Sequence, residues 1–148
     1  MNRKTEYALM ALRFIAARGF EKTTAREICD QFHTPFDTTA KVLQAMNHNG
    51  ILTSVQGVNG GYVLDCDLEQ INYHDFTHMI EGKQMSMDCV EGSCELSSSC
   101  NISGPVKKLN NYLVDFFKGL TLKKLLQEDE LIHLTIPMNL NEEVRYES

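Results

Sequence analysis

Tyr7, Ala8, Ala11, Leu12, Ile15 and Ala16 recur at three- and four-residue spacing, which predicts a helix over residues 5–18 with one apolar face. Gly19 is its stop signal. Thr24-Ala25-Arg26-Glu27 then has the form of a capping box, in which Thr24 and Glu27 each satisfy a free backbone group of a new helix. That helix turns Ile28 inward and runs to about Phe32. Thr34-Pro35-Phe36-Asp37 opens the next one, with Thr34 as N-cap, Pro35 in the first helical position and Asp37 at the positive helix end. Val42, Leu43 and Met46 form its apolar stripe, and Asn49-Gly50 closes it after His48.

The pattern then changes to β-prone residues. Ile51–Val55 and Tyr62–Leu64 read as two strands around the turn-rich segment Gln56-Gly57-Val58-Asn59-Gly60-Gly61. Asn72 caps a short helix with Phe76, Met79 and Ile80 inward. Residues 82–104 have no period. Gly104-Pro105 starts a long helix whose Val106, Leu109, Leu113, Phe116 and Leu120 approach a heptad seam. Thr121–Leu126 adds a final short helix, and an acidic, mixed tail follows from about Gln127.

The predicted fold is mainly α with a small β-hairpin wing: a winged helix-turn-helix plus a long dimerisation helix. In such a domain one helix enters the major groove and the preceding helix crosses the backbone. The same order also suits a small α+β domain without a nucleic-acid role. Thr34, Asp37, Thr38, Lys41 and Gln44 lie away from the apolar stripe of the candidate recognition helix, and their side-chain types can meet base edges or phosphate. Gln56, Asn59, Gly60 and Gly61 of the wing let backbone amides approach phosphate. Arg3, Lys4 and Arg26, with Arg13 and Lys22, add positive charge.

Charge at first argues against a DNA partner, because the 148 residues carry a net −6. Its distribution weakens that objection. Residues 1–64 hold seven Lys/Arg against five Asp/Glu, and residues 65–148 hold seven against fifteen. A mildly basic working half is joined to an acidic one. No stretch approaches the roughly 18 apolar residues of a membrane span, and MNRKTEYALM lacks a signal-peptide core, so the expected location is the cytoplasm. No paired carboxylates or Ser/His/Asp constellation is evident, and Gly57 to Gly61 lacks the strand-to-helix context of a phosphate loop. An enzyme is not expected.

Cys89, Cys94 and Cys100 are spaced C-x4-C-x5-C in a segment of small residues. Such a loop can gather several thiolates around one centre. Iron–sulfur clusters are held mainly by thiolates, whereas zinc wants four ligands, usually with Cys-x2–4-Cys pairs. Incidental or redox-reactive thiols fit the spacing equally. Cys29, beside Ile28, reads as a small core residue, and Cys66, between two aspartates, has no motif. His74 and His78, one turn apart, lack a third nearby ligand.

Glu6-Tyr7-Ala8-Leu9, Asn49-Gly50, Ser54-Val55-Gln56-Gly57, Gly60-Gly61-Tyr62-Val63-Leu64, the three cysteines and Thr121-Leu122 occur in the order found in one family. Over residues 1 to about 127 the chain resembles the Rrf-two winged-helix transcription regulators, the group that contains IscR, NsrR and RirA. The resemblance implies a homodimer whose long helices pair, and an operator in double-stranded DNA. It implies an iron–sulfur cluster, 2Fe–2S or 4Fe–4S, on Cys89, Cys94 and Cys100. In some members a carboxylate just before the N-terminal aromatic completes the site from the other subunit, and Glu6 matches that position. Two positions depart from the family pattern: Ser103 stands where IscR-type members carry His, and Gln56 stands where many members carry Arg. The first raises the weight on Glu6; the second weakens or alters minor-groove reading. The implied organisation is a winged helix-turn-helix domain over 1–80, a cysteine-rich cluster loop over 81–104, the dimerisation helix and a short helix over 105–127, and an acidic tail over 128–148. Direct thiol sensing without a cluster is the main alternative. A small electron carrier, the third reading, would leave the winged helix without purpose.

Overall fold

The computed structural model describes residues 2–83, 94–96 and 98–127. Cys89 and the tail from 128 onward lie outside the described residues. The elements are α1 (Arg3–Ala17), α2 (Ala25–Phe32), α3 (Phe36–His48), β1 (Leu52–Val55), β2 (Gly61–Leu64), α4 (Tyr73–Glu81), α5 (Ser103–Gly119) and α6 (Leu122–Leu126).

Local chemistry explains most of the boundaries. α1 begins two residues earlier than its apolar period suggests, because the Asn2 side chain accepts from the Lys4 backbone N–H at 3.1 Å. The capping box of α2 is complete. Thr24 Oγ1 accepts from the Glu27 N–H at 3.2 Å, and Glu27 accepts from the Thr24 N–H at 2.7 Å. Asn72 caps α4 by accepting from the Asp75 N–H at 2.8 Å, and Thr121 caps α6.

The start of α3 departs from expectation. Pro35 is the N-cap residue, and no side chain caps the helix. Thr34 is buried, and its hydroxyl pairs with Thr39 at 2.8 Å inside the domain. Its oxygen is engaged there rather than on the helix end.

One core unites the winged helix and the C-terminal helices. Ala8, Ala11, Leu12 and Ile15 of α1 pack with Ile28, with Val42, Leu43 and Met46 of α3, with Ile51 and Leu52, and with Phe76 and Ile80. Each large side chain taken fully out of water contributes about 1.5–3 kcal/mol. Leu122 of α6 is fully buried in the same cluster. Backbone hydrogen bonds carry α6 there: Leu122 N–H donates to Ile71 at 2.8 Å, Lys123 N–H to Leu68 at 3.1 Å, and Tyr73 N–H to Leu120 at 2.7 Å. Cys29 is only half-buried and outside this cluster, whereas Cys66 packs against it. The expected core role for Cys29 is therefore replaced by one for Cys66.

The wing is an antiparallel pair with Leu52 opposite Leu64 and Val55 opposite Gly61. Thr23, just before α2, adds a bridge to Tyr62 through both of its backbone groups, at 2.9 and 2.8 Å. Gly61 permits this contact, since a Cβ there would lie 3.0 Å from the Thr23 carbonyl oxygen. A Cβ on Gly60 would lie 2.5 Å from the Val55 oxygen. Construction of the wing thus accounts for both glycines before any contact with phosphate is considered. No helix among the described residues is long and apolar enough to cross a membrane.

Candidate nucleic-acid interface

α2 and α3 are joined by a tight turn at His33, the one non-glycine with positive φ (55°) among the described residues. The left-handed residue turns the chain so that α3 crosses α2 and presents an outer face. Asp37, Lys41 and Gln44 are exposed and recur at four and three residues, so they share that face. Thr38 flanks it on one side and Phe36 on the other.

Lys4, Thr38 and Lys41 meet around one open cavity of about 150 Å³, completed by Val42 and Ile80. The start of α1 therefore stands beside the outer face of α3, and two lysines converge there. Neither has an ion-pair partner among the described residues. Arg3 is 80% exposed but its guanidinium lies 3.2 Å from Glu6. Arg18 is committed to Glu27 at 3.0 Å and Glu21 at 3.4 Å. The Thr24 N–H, with help from Arg18, holds the Glu27 carboxyl below its ordinary pKa.

Arg26 projects from α2 with its guanidinium 5.8 Å from the centre of the Phe36 ring. Gln56 and Asn59 are exposed at the wing, with Val58 fully exposed between them. No residue from 51 to 64 is charged. Thr34 leaves the predicted set, because it is buried and bonded to Thr39. Phe36 was missed; its signal was an aromatic in the first helical position directly after Pro35.

Of the three clustered cysteines, Cys94 and Cys100 are described, half-buried and free of disulfides. They stand ahead of α5, whose Leu109, Tyr112 and Leu113 are exposed. Cys89 lies outside the described residues, and Glu6 is on α1, 31% exposed. Among the described residues no three His, Cys, Asp or Glu side chains gather closely enough to hold a metal ion. Cys66 is a poor candidate for such chemistry: burial, with Asp65 and Asp67 beside it, pushes its thiol pKa up. His74 lies 3.1 Å from Asp75 and His78 is exposed on the same helix.

Residues 1–128 match the Rrf2 family, described as an iron-dependent transcriptional regulator. The chain belongs to the Rrf2 family. It is 26% identical over 148 residues to protein aau3 of Rhizobium meliloti, covering 98% of this chain and 95% of that one. It is 24% identical over 132 residues to the HTH-type transcriptional regulator NsrR of Shouchella clausii, covering 86% of this chain and 89% of that one. Among solved structures it superposes on CymR, the global cysteine regulator of B. subtilis, with a TM-score of 0.66 at 19% identity, over 85% of this chain and 95% of that one. Family and fold are those of DNA-binding transcription regulators rather than enzymes.

Proposed function

We propose that this Rrf2 chain binds operator DNA as a homodimer and senses iron, redox or nitric oxide status through an iron–sulfur cluster. Cys89, Cys94 and Cys100 supply thiolates, and Glu6 of the partner subunit supplies the remaining donor. The observation that carries the reading is the pairing of two unbridged, half-buried thiols, Cys94 and Cys100, with a long helix just beyond them whose apolar residues are uncovered. The family's description as iron-dependent supports it. Thiolates hold iron of this kind, and one oxygen donor makes one corner labile. When bound, the cluster supplies reactive iron at that corner.

The protein's own residues do the rest. Glu6 carries Arg3 as its partner in the single chain. Ligation would exchange that cation for iron and leave Arg3 free for phosphate. α3 presents Asp37, Lys41 and Gln44 to base edges, with Arg3, Lys4 and Arg26 at the backbone. Thr38 borders the cavity that Lys4 and Lys41 share. Gln56 and Asn59 of the wing meet the sugar–phosphate edge, held out by the Gly60–Gly61 segment, whose Gly60 N–H is spent on the Gly57 carbonyl at 3.0 Å. A dimer must place its two recognition helices about 34 Å apart, so a group joining the halves shifts the population of the DNA-competent arrangement.

The test is a visible absorption spectrum of anaerobically purified protein, with iron and sulfide assayed on the same sample. Charge-transfer bands with matching iron and sulfide support the reading, and their shape separates 2Fe–2S from 4Fe–4S. A Cys94→Ala protein with an unchanged spectrum sinks the ligand assignment. Direct thiol sensing is the second reading, favoured by the likeness to a cysteine regulator. A colourless, iron-free protein whose DNA affinity responds to peroxide would establish it instead.

A further inference from the structure

Phe36 is a large apolar side chain that the core does not take up. It occupies the first position of α3 and is 51% exposed, while the core beneath is filled by Val42, Leu43 and Met46. An aromatic ring left half in water forgoes about half of the stabilisation that full burial would give. Among the described residues its one ring contact is with Arg26, whose guanidinium stands 5.8 Å from the ring centre. That contact joins α2 to α3 and holds the ring beside a phosphate-seeking cation. Phe20 and Val58 are also exposed, but they lie in a connector and at the wing tip. Isolated surface apolar residues of that kind are ordinary.

The N-terminal end of a recognition helix is where side chains reach base edges in the major groove. The one apolar group displayed there is the C5-methyl of thymine, and Phe is among the residues that contact it. We propose that Phe36 reads a thymine methyl in each operator half-site, with Arg26 bound to the flanking phosphate and fixing the ring through the cation–π contact. The arrangement divides the labour: Arg26 supplies sequence-independent attraction, and Phe36 supplies discrimination at one base pair. This inference rests on α3 being the recognition helix.

The experiment starts from an operator selected from a random duplex library by the full-length dimer. Each thymine of the selected site is then replaced by uracil, which removes the methyl and keeps every hydrogen-bonding group. In the native protein one thymine per half-site should respond, losing about fourfold in affinity, the worth of one buried methyl. Phe36→Ala should bind thymine and uracil operators equally. Phe36→Leu, which keeps an apolar side chain, should retain part of the preference and guards against a folding defect in the alanine variant. A flat uracil scan of the native protein overturns the role of Phe36 alone. So does a Phe36→Ala protein with the native thymine-to-uracil ratio. Failure to select any sequence overturns the recognition-helix reading, and this inference with it.

Discussion

The DNA face makes a quantitative claim about salt. On the proposed reading, each protomer of a dimer offers four exposed cations to phosphate or the groove edge: Arg3, Lys4, Arg26 and Lys41. A dimer therefore brings eight, and the wing adds none because residues 51–64 are uncharged. Each neutralised phosphate contributes about −0.9 to the slope of log K against log salt, so the full set gives a slope of about −7. If Glu6 keeps Arg3, at 3.2 Å, the slope falls to about −5. Between 50 and 200 mM salt, the steeper value means an affinity loss of about 10⁴-fold. Fluorescence anisotropy with a labelled operator measures it directly. Lys4→Ala is the informative variant, because Lys4 is exposed and sits on the rim of the cavity shared with Lys41. It should lower the slope by about 2 per dimer and weaken specific and random DNA alike. A native slope shallower than about −2, or a Lys4→Ala slope equal to the native one, would refute this placement of charge.

Thr24→Ala removes half of the α2 capping box and should cost about 1 kcal/mol, read as a lower midpoint in urea unfolding. Thr23→Val should act in the opposite direction, since the Thr23 hydroxyl is fully buried with no hydrogen-bond partner among the described residues; a gain of about 1 kcal/mol is expected, and a loss would show that the oxygen is satisfied in solution. The Glu27 carboxyl titrates below its ordinary value of 4.5, chiefly because the Thr24 N–H bonds to the ionised form, so its stabilisation is complete above that pH and is lost as pH falls through the lower folded value. Thermal melts of native protein and Glu27→Gln between pH 3 and 6 should show a shallower acid slope in the variant.

How much of this was legible follows the range of the interaction. The capping residues Thr24, Glu27 and Asn72 announce their helices because donor and acceptor lie within three residues. The wing strands were placed to within one residue because β-prone runs flank a glycine-rich turn. What escaped was non-local or polar and buried. The Thr23–Tyr62 bridge joins backbone groups 39 positions apart and leaves no side-chain signature. Thr5 and Thr34 carry hydroxyls, so an apolar-periodicity reading leaves them at the surface. Yet Thr5 is fully buried with its hydroxyl donating to Glu81, and Thr34 pairs with Thr39. On the outer face of α3, chemistry picked out Asp37, Thr38, Lys41 and Gln44, all on its exposed side or flank. It passed over Phe36 because a phenyl ring reads first as core.

The far end of α5 constrains any switch built on the cysteines. Phe117 packs against Tyr73 with ring centres 5.0 Å apart, Leu120 accepts from the Tyr73 N–H at the start of α4, and Leu122 donates to Ile71 just before it. Lys123 adds an ion pair to Glu69 at 2.9 Å. The helix is thus clamped to its own winged-helix unit at one end, while Cys94 and Cys100 stand at the other. On the cluster reading, a rearrangement at the cysteines cannot be absorbed as slack at the C-terminal end. It must turn α5 against α4, and α4 packs on both α1 and α3. Loosening the clamp should therefore weaken coupling without touching the ligands. Phe117→Ala should leave the visible spectrum unchanged while the cluster-loaded and cluster-free proteins converge in DNA affinity. The logarithm of the affinity ratio of the two forms measures the free energy passed between the sites, and the ratio should shrink toward one. A Phe117→Ala protein that keeps both the spectrum and the native ratio would show that the signal travels by another route.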